Sequence, residues 1–286
     1  MKFLSFENNG HPVVTIKSTS KKLNNKVIHL DDKARSLHGF NELKLKNDDS
    51  FQLIPNPKIE RSINYVCGSS GSGKTWWIKQ FLIEYKKTFP KNEIYVFSPF
   101  PEQDKSFDGV KVNYIKIDNE LLEDNLTPQD FKDSMVVMDD IEAISDRTLN
   151  KEVHRIADAI LTTGRHYHVS CCLVFHEACN GQKSKKILNE SHTITIFLRT
   201  LGKRAMKYLL ENYLGLGTDE INRLKKIKTR ALTIVKGYPK LAVGEKEIIC
   251  LNCDDDSSDS EGSSEDSISD VIKYEKKKVK KSKKKY

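Results

Sequence analysis

Ser62-Ile63-Asn64-Tyr65-Val66-Cys67-Gly68-Ser69-Ser70-Gly71-Ser72-Gly73-Lys74-Thr75 is the stretch on which the reading of the whole chain turns. Ser62–Cys67 is an apolar run of strand length, and Gly68–Thr75 matches G-x-x-x-x-G-K-[ST], the Walker A pattern, at every fixed position. A helical stretch follows from Thr75 to Phe89, with Trp77, Phe81 and Tyr85 sharing a face at i, i+4 spacing. Each residue type in the loop has a physical task. Glycines let the backbone wrap an anion and turn successive N–H groups toward it. The following helix adds the positive end of its dipole. Gly68, Ser69, Ser70, Gly71, Ser72 and Gly73 would then cradle the phosphates of a nucleotide, Lys74 would bridge the β- and γ-phosphates, and the Thr75 hydroxyl would hold Mg²⁺. The bland alternative is a Gly/Ser turn between a strand and a helix.

A nucleotide site also needs an apolar strand that ends in acid, and Met135-Val136-Val137-Met138-Asp139-Asp140 supplies it. Asp139 at the strand tip is the expected Mg²⁺ ligand. Asp140 is the expected base that polarises the attacking water, with Glu142 in reserve. Further strands are expected at Glu93–Phe97, Val112–Ile117, Val169–Phe175, Thr193–Leu198, Ala231–Val235 and Glu247–Leu251, and helices at Leu149–Leu161, Lys203–Tyr213 and Asp219–Ile227. Strands alternating with helices predict a parallel sheet covered on both faces, a three-layer α/β/α arrangement over residues 59–253. Residues 1–58 read as a small β-rich N-terminal extension, with strand-like pieces at Pro12–Lys17, Lys26–Leu30 and Ser50–Ile54.

No N-K-x-D guanine reader and no arginine-rich lid is present, which argues against a GTPase and a small-molecule kinase. Glu93–Phe97 and the buried strand Val169–Phe175 leave room for an extra strand between the phosphate-loop strand and the acid-bearing strand. That is the architecture of additional-strand, RecA-like ATPases. A polar side chain at the tip of the neighbouring strand then senses the γ-phosphate, and here the tip reads Phe175-His176-Glu177.

Gly68–Thr75, Met135–Asp140 and Thr163-Gly164-Arg165-His166-Tyr167-His168-Val169-Ser170, in that order, resemble the genome-packaging ATPase of nucleocytoplasmic large DNA viruses, the poxvirus type within the HerA/FtsK superfamily. Asn189-Glu190-Ser191 before Thr193–Phe197, with the helix to Tyr213, resembles the same family. The likeness covers about residues 59–235. It implies a homo-oligomeric ring that hydrolyses ATP with Mg²⁺ and drives double-stranded DNA, without regard to base sequence, into a capsid. It further implies capsid or portal-like partners and a place in the virion and the cytoplasmic virus factory. Family members usually end the sensor strand in Gln, so His176 is read as a variant sensor.

Ring ATPases usually need an arginine that reaches the neighbour's γ-phosphate. Arg165 is the first candidate, with Arg155 and Arg147 behind it; a solvated or ion-paired arginine is the alternative for each. His166 and His168 lack further ligands at zinc spacing. Lys183, Lys185 and Lys186 are expected in a loop that could touch DNA phosphates, or in a solvated helix start. Cys250-x-x-Cys253 is half a zinc site, or two reduced thiols.

Composition agrees with these expectations. The 286 residues carry 48 basic and 40 acidic side chains, a net charge of +8, and 37% are hydrophobic, enough for a sizeable core. The tail from Asp254 to Tyr286, acidic and serine-rich and then lysine-rich, holds nine lysines against nine acids, so the +8 belongs to residues 1–253. A basic body suits a polyanion. The tail is expected to be disordered; its lysines suit a nuclear address, a nucleic-acid patch or a solubilising end. Apolar runs are strand-sized, which excludes a membrane span, and no secretory signal opens the chain. The expected soluble, intracellular translocase has two rivals: a helicase or DNA-remodelling ATPase, and a non-enzymatic DNA-binding virion protein.

Overall fold

The computed structural model describes residues 3–31, 40–46, 48–100 and 105–251, with the backbone alone at 182 and 183. The acidic and lysine-rich tail, and Cys253 with it, lies outside the described residues. Five short strands come first: β1 (Phe3–Ser5), β2 (His11–Lys17), β3 (Val27–Asp31), β4 (Glu42–Lys44) and β5 (Ser50–Leu53). Four of them form an antiparallel sheet in the order β1-β3-β2-β5, while β4 joins the edge of the larger sheet. The three-residue strands β1 and β4 escape sequence reading because alternation has no room to show.

The main elements follow in the order β6 (Ile63–Cys67), α1 (Lys74–Thr88), β7 (Glu93–Ser98), β8 (Asn113–Lys116), α2 (Glu120–Glu123), β9 (Ser134–Met138), α3 (Arg147–Thr163) and β10 (Ser170–Phe175). Then come α4 (Gly181–Glu190), β11 (Thr193–Phe197), α5 (Lys203–Tyr208), α6 (Thr218–Lys226), β12 (Ala231–Val235), β13 (Lys240–Val243) and β14 (Glu247–Leu251). The ten-stranded sheet runs β4-β14-β13-β12-β11-β6-β10-β9-β7-β8. From β11 to β8 the neighbours are parallel, and from β11 out to β4 they are antiparallel. The fully parallel sheet read from the sequence therefore gains an antiparallel wing. The links at 236–239 and 244–246 are too short for a crossover and hold only hairpins.

β10 is the strand inserted between β6 and β9, so Ser170–Phe175 and not Glu93–Ser98 fills the place left open by the sequence. This is the additional-strand P-loop ATPase fold. Alternation along the strands divides the interior into two cores. Ile63, Tyr65, Cys171, Leu173, Val136 and Met138 face a helical layer that includes Ile156 and Ile160 of α3 and Leu188 of α4. Val66, Cys172, Val174, Met135 and Val137 face Ile78, Phe81 and Tyr85 of α1, which the N-terminal sheet covers with Val14, Ile28 and Leu53. Trp77, half-buried, stacks on Phe81 at 5.9 Å, as the expected helix face requires. Among the described residues no helix is long and apolar enough to cross a membrane.

Candidate nucleotide site

Parallel strands deliver all their C-terminal ends to one edge of the sheet, and the loop between β6 and α1 lies there. Gly68 N–H donates to Phe175 O at 3.1 Å, which ties the loop to β10. Gly73 has φ 101°, and Gly71 φ 71°, the left-handed region in which glycine is unstrained. A Cβ on Gly68 would lie 2.7 Å from the Phe197 Cβ of β11, so this position is closed to larger residues.

Lys74 is the first residue of α1. Sequence reasoning expects it at a solvent-accessible loop; the structure buries it, at 6% exposure. Its Nζ donates to Gly68 O at 2.8 Å and Ser69 O at 3.1 Å, and lies 3.4 Å from His176 Nδ1. Burial pushes the ammonium below its ordinary pKa, against the pull of Asp139, Asp140 and Glu142. Thr75 Oγ1 donates to Asp139 Oδ2 at 3.1 Å. Asp139, at 7% exposure, has its pKa pushed up to about 6, first by burial and then by the neighbouring Asp140 charge, with Thr75 and Lys74 opposing.

Asp140 turns the chain at φ 52°, which carries its side chain out of the strand line. Its Oδ1 lies 3.1 Å from His176 Nε2. Because an ammonium can only donate, Nδ1 of His176 accepts from Lys74 and Nε2 donates to Asp140. Glu142, the reserve base, is engaged elsewhere: its Oε2 accepts from the His176 backbone N–H at 2.7 Å. Lys74, Thr75, Asp139, Asp140 and His176 thus meet at one edge, although they come from three separated segments.

The oxygens of Thr75 and Asp139 suit a hydrated divalent cation, which prefers hard donors. Among the described residues the enclosed Ser72 Oγ has no hydrogen-bond partner. The structure therefore fits a Mg²⁺–nucleotide pair.

Other candidates lie elsewhere. Arg165 occupies the short 3₁₀ turn Gly164–Tyr167 ahead of β10, at the opposite edge of the sheet, where its guanidinium pairs with Glu60. Gly164 leaves room there for Arg61, whose Nη1 would stand 3.1 Å from a Cβ at that position. Arg155 pairs with Glu152 at 2.7 Å, and Arg147 is exposed at the start of α3. His168 Nδ1 lies 3.0 Å from Asp133 Oδ1. Of the two readings for the segment with Lys183, Lys185 and Lys186, loop or helix start, the structure has the helix, the first turns of α4, and Lys186 pairs with Asp158 of α3 at 3.2 Å. Sequence reasoning missed two residues of the loop's outer wall. Thr200 Oγ1 accepts from Ser69 N–H at 3.2 Å, and Arg230 Nη2 donates to Ser72 O at 3.2 Å. Neither carries a motif.

No protein-family model matches the chain. It is 34% identical over 242 residues to the uncharacterized protein V3 of Sputnik virophage, a match that spans 84% of this chain and 95% of that protein. Among solved structures it is similar to the genome-packaging NTPase B204 of Sulfolobus turreted icosahedral virus 2 in complex with AMPPCP. There the identity is 13%, the coverage 67% of this chain and 99% of that one, and the TM-score 0.44. It is also similar to the conjugation coupling protein TcpA of pCW3, with 14% identity, coverage of 85% of this chain and 78% of that one, and a TM-score of 0.40.

Proposed function

The chain belongs to the family of the virophage protein V3, and from that premise we propose that it is a Mg²⁺-dependent ATPase that translocates double-stranded DNA and packages a viral genome. One observation carries the enzymatic part. Lys74, Thr75, Asp139, Asp140 and His176 converge at the C-terminal edge of a parallel sheet whose inserted strand, β10, leads directly into His176. The packaging part rests on the resemblance of the three motifs to poxvirus-type packaging ATPases and on the basic charge of residues 1–253.

The residues divide the work. Backbone N–H groups of the loop hold the phosphates, and Thr75 with Asp139 holds the metal. When bound, Mg²⁺ neutralises charge on the β- and γ-phosphate oxygens. Lys74 exchanges its bonds to Gly68 O and Ser69 O for phosphate oxygens, and in doing so leaves His176 Nδ1. Asp140 Oδ2, which no described residue engages, is the oxygen that orients the attacking water, while Oδ1 stays on His176. Charge separation on the transferring phosphoryl group is met by these fixed groups, so catalysis is positioning plus electrostatics. A homo-oligomeric ring with Arg165 acting on the neighbour's nucleotide, and a capsid or portal-like docking partner, complete the reading.

The test is ATP turnover by the full chain with and without duplex DNA. Mg²⁺-dependent turnover that rises with DNA of any sequence is the expected result. Turnover without DNA response leaves an ATPase and removes the translocase; no turnover and no nucleotide binding leaves a DNA-binding virion protein.

A further inference from the structure

Arg230 stands just ahead of β12, whose first residue, Ala231, pairs with Phe197 at the end of β11. That register carries a segment distant in sequence to the outer wall of the phosphate loop. The bend is held firmly: buried Thr229 donates from Oγ1 to Ala231 O at 2.7 Å and accepts from Glu245 N–H at 3.0 Å. From this mount the Arg230 guanidinium donates to Ser72 O at 3.2 Å. Among the described residues no carboxylate pairs with it, although the side chain is exposed and has five N–H donors. A Cβ on Gly73 would stand 2.6 Å from Nη2, so the glycine is needed for this contact as well as for its φ of 101°.

The carbonyl it holds is half of a peptide whose other half is the Gly73 N–H. In a trans peptide these two groups point in opposite directions. A cation that fixes Ser72 O on the outside of the loop therefore aims the Gly73 N–H to the inside, and its charge polarises the amide toward a stronger donor. We infer that Arg230 is a positioning residue for the phosphate loop: held on Ser72 O, its guanidinium presets the Gly73 N–H to receive a nucleotide phosphate. The inference rests on the ATPase reading above and adds to it a residue outside the sequence motifs. It names a different part from Arg165, because Arg230 acts within its own chain and behind the loop.

The consequence is kinetic. An N–H preset before binding serves ground state and transition state alike, so its loss raises KM and leaves kcat in place. Arg230→Ala should weaken ATP binding and raise KM by about tenfold, the size of one charge-assisted hydrogen bond. Arg230→Lys, which keeps a cation with a single reach, should recover part of the loss. The measurement is ATP affinity by titration calorimetry, KM and kcat, and Tm, on the full chain and both variants. A KM rise at unchanged kcat, with partial recovery in Arg230→Lys, supports the assignment. Affinity equal to wild type in Arg230→Ala overturns it, as does a loss of kcat at constant KM, which would make Arg230 a transition-state group. If Arg230→Ala does not fold, Arg230→Gln decides by the same two criteria. A wild-type chain that binds no ATP overturns this inference and the ATPase reading together, whereas wild-type binding with indifferent variants overturns this inference alone.

Discussion

At the scale of single residues, Lys74 illustrates a motif side chain with two roles. Buried at 6% exposure, its ammonium closes the loop on Gly68 O and Ser69 O before any phosphate arrives. Lys74→Ala should abolish ATP turnover and also lower stability by about 1–2 kcal/mol, because two carbonyls lose a charged donor. A thermal melt beside the turnover assay checks both; an unchanged Tm would show that the loop holds itself. Asp139 presents the opposite balance. Its carboxyl, raised from 3.8 to about 6, binds a proton in the folded chain that the unfolded chain has already lost between those values. Stability therefore falls as pH rises from about 4 to about 6, and the cost stands in full above pH 6. Asp139→Asn should raise the Tm of the nucleotide-free protein at pH 8, raise it less at pH 4.5, and abolish Mg²⁺-dependent turnover. Melting curves at the two pH values, in the absence of Mg²⁺, decide the matter, and a lower Tm at pH 8 would contradict it.

At the scale of elements, α3 is fastened at both ends. Asp146 caps its start, accepting from Thr148 N–H at 2.8 Å and Leu149 N–H at 2.9 Å. Arg61 closes its end by donating to Ile160 O at 2.5 Å and Leu161 O at 2.7 Å. Arg61 comes from the approach to β6, so this contact joins the helix to the strand that carries the phosphate loop. Ile160 O also accepts from the Gly164 N–H, and charged hydrogen bonds to backbone carbonyls contribute about 1.5–3 kcal/mol. Arg61→Ala should lower stability by an amount in that range and leave KM for ATP near its original value, since the contact lies at the far edge of the sheet. Denaturant unfolding read with steady-state kinetics separates the two effects.

At the scale of the whole molecule, Arg165 and the phosphate loop lie at opposite edges of one sheet. The six residues of β10 alone span on the order of 20 Å. That separation keeps Arg165 from its own chain's phosphate loop, so the proposed action on a nucleotide would have to be in a neighbouring subunit, with the pair to Glu60 opened. Arg165→Ala and Lys74→Ala should each be inactive alone and partly active when mixed, because some interfaces then join an intact arginine to an intact loop. A trans-acting arginine contributes about 10³–10⁵ in rate, so the recovery is large enough to measure. Co-assembled mutants with no recovery would remove Arg165 from the site.

Much of this was legible in the chain itself. Gly68–Thr75 and Met135–Asp140 can be recognised because a phosphate cradle and a metal ligand impose residue types at fixed local spacing, and local spacing survives in sequence. The parallel half of the sheet is legible for the same reason, since buried strands and amphipathic helices each carry their own period. Contacts between segments far apart in sequence were not. Which strand enters between β6 and β9, the burial of Lys74, and the bond from His176 to Asp140 depend on long-range packing. Arg61, Thr200 and Arg230 act through backbone carbonyls and amides, which every residue offers and no motif marks. Local chemistry determined that a nucleotide loop is present; only the sheet register, by bringing β12 to the loop and β10 to the acid pair, decided which other side chains surround it.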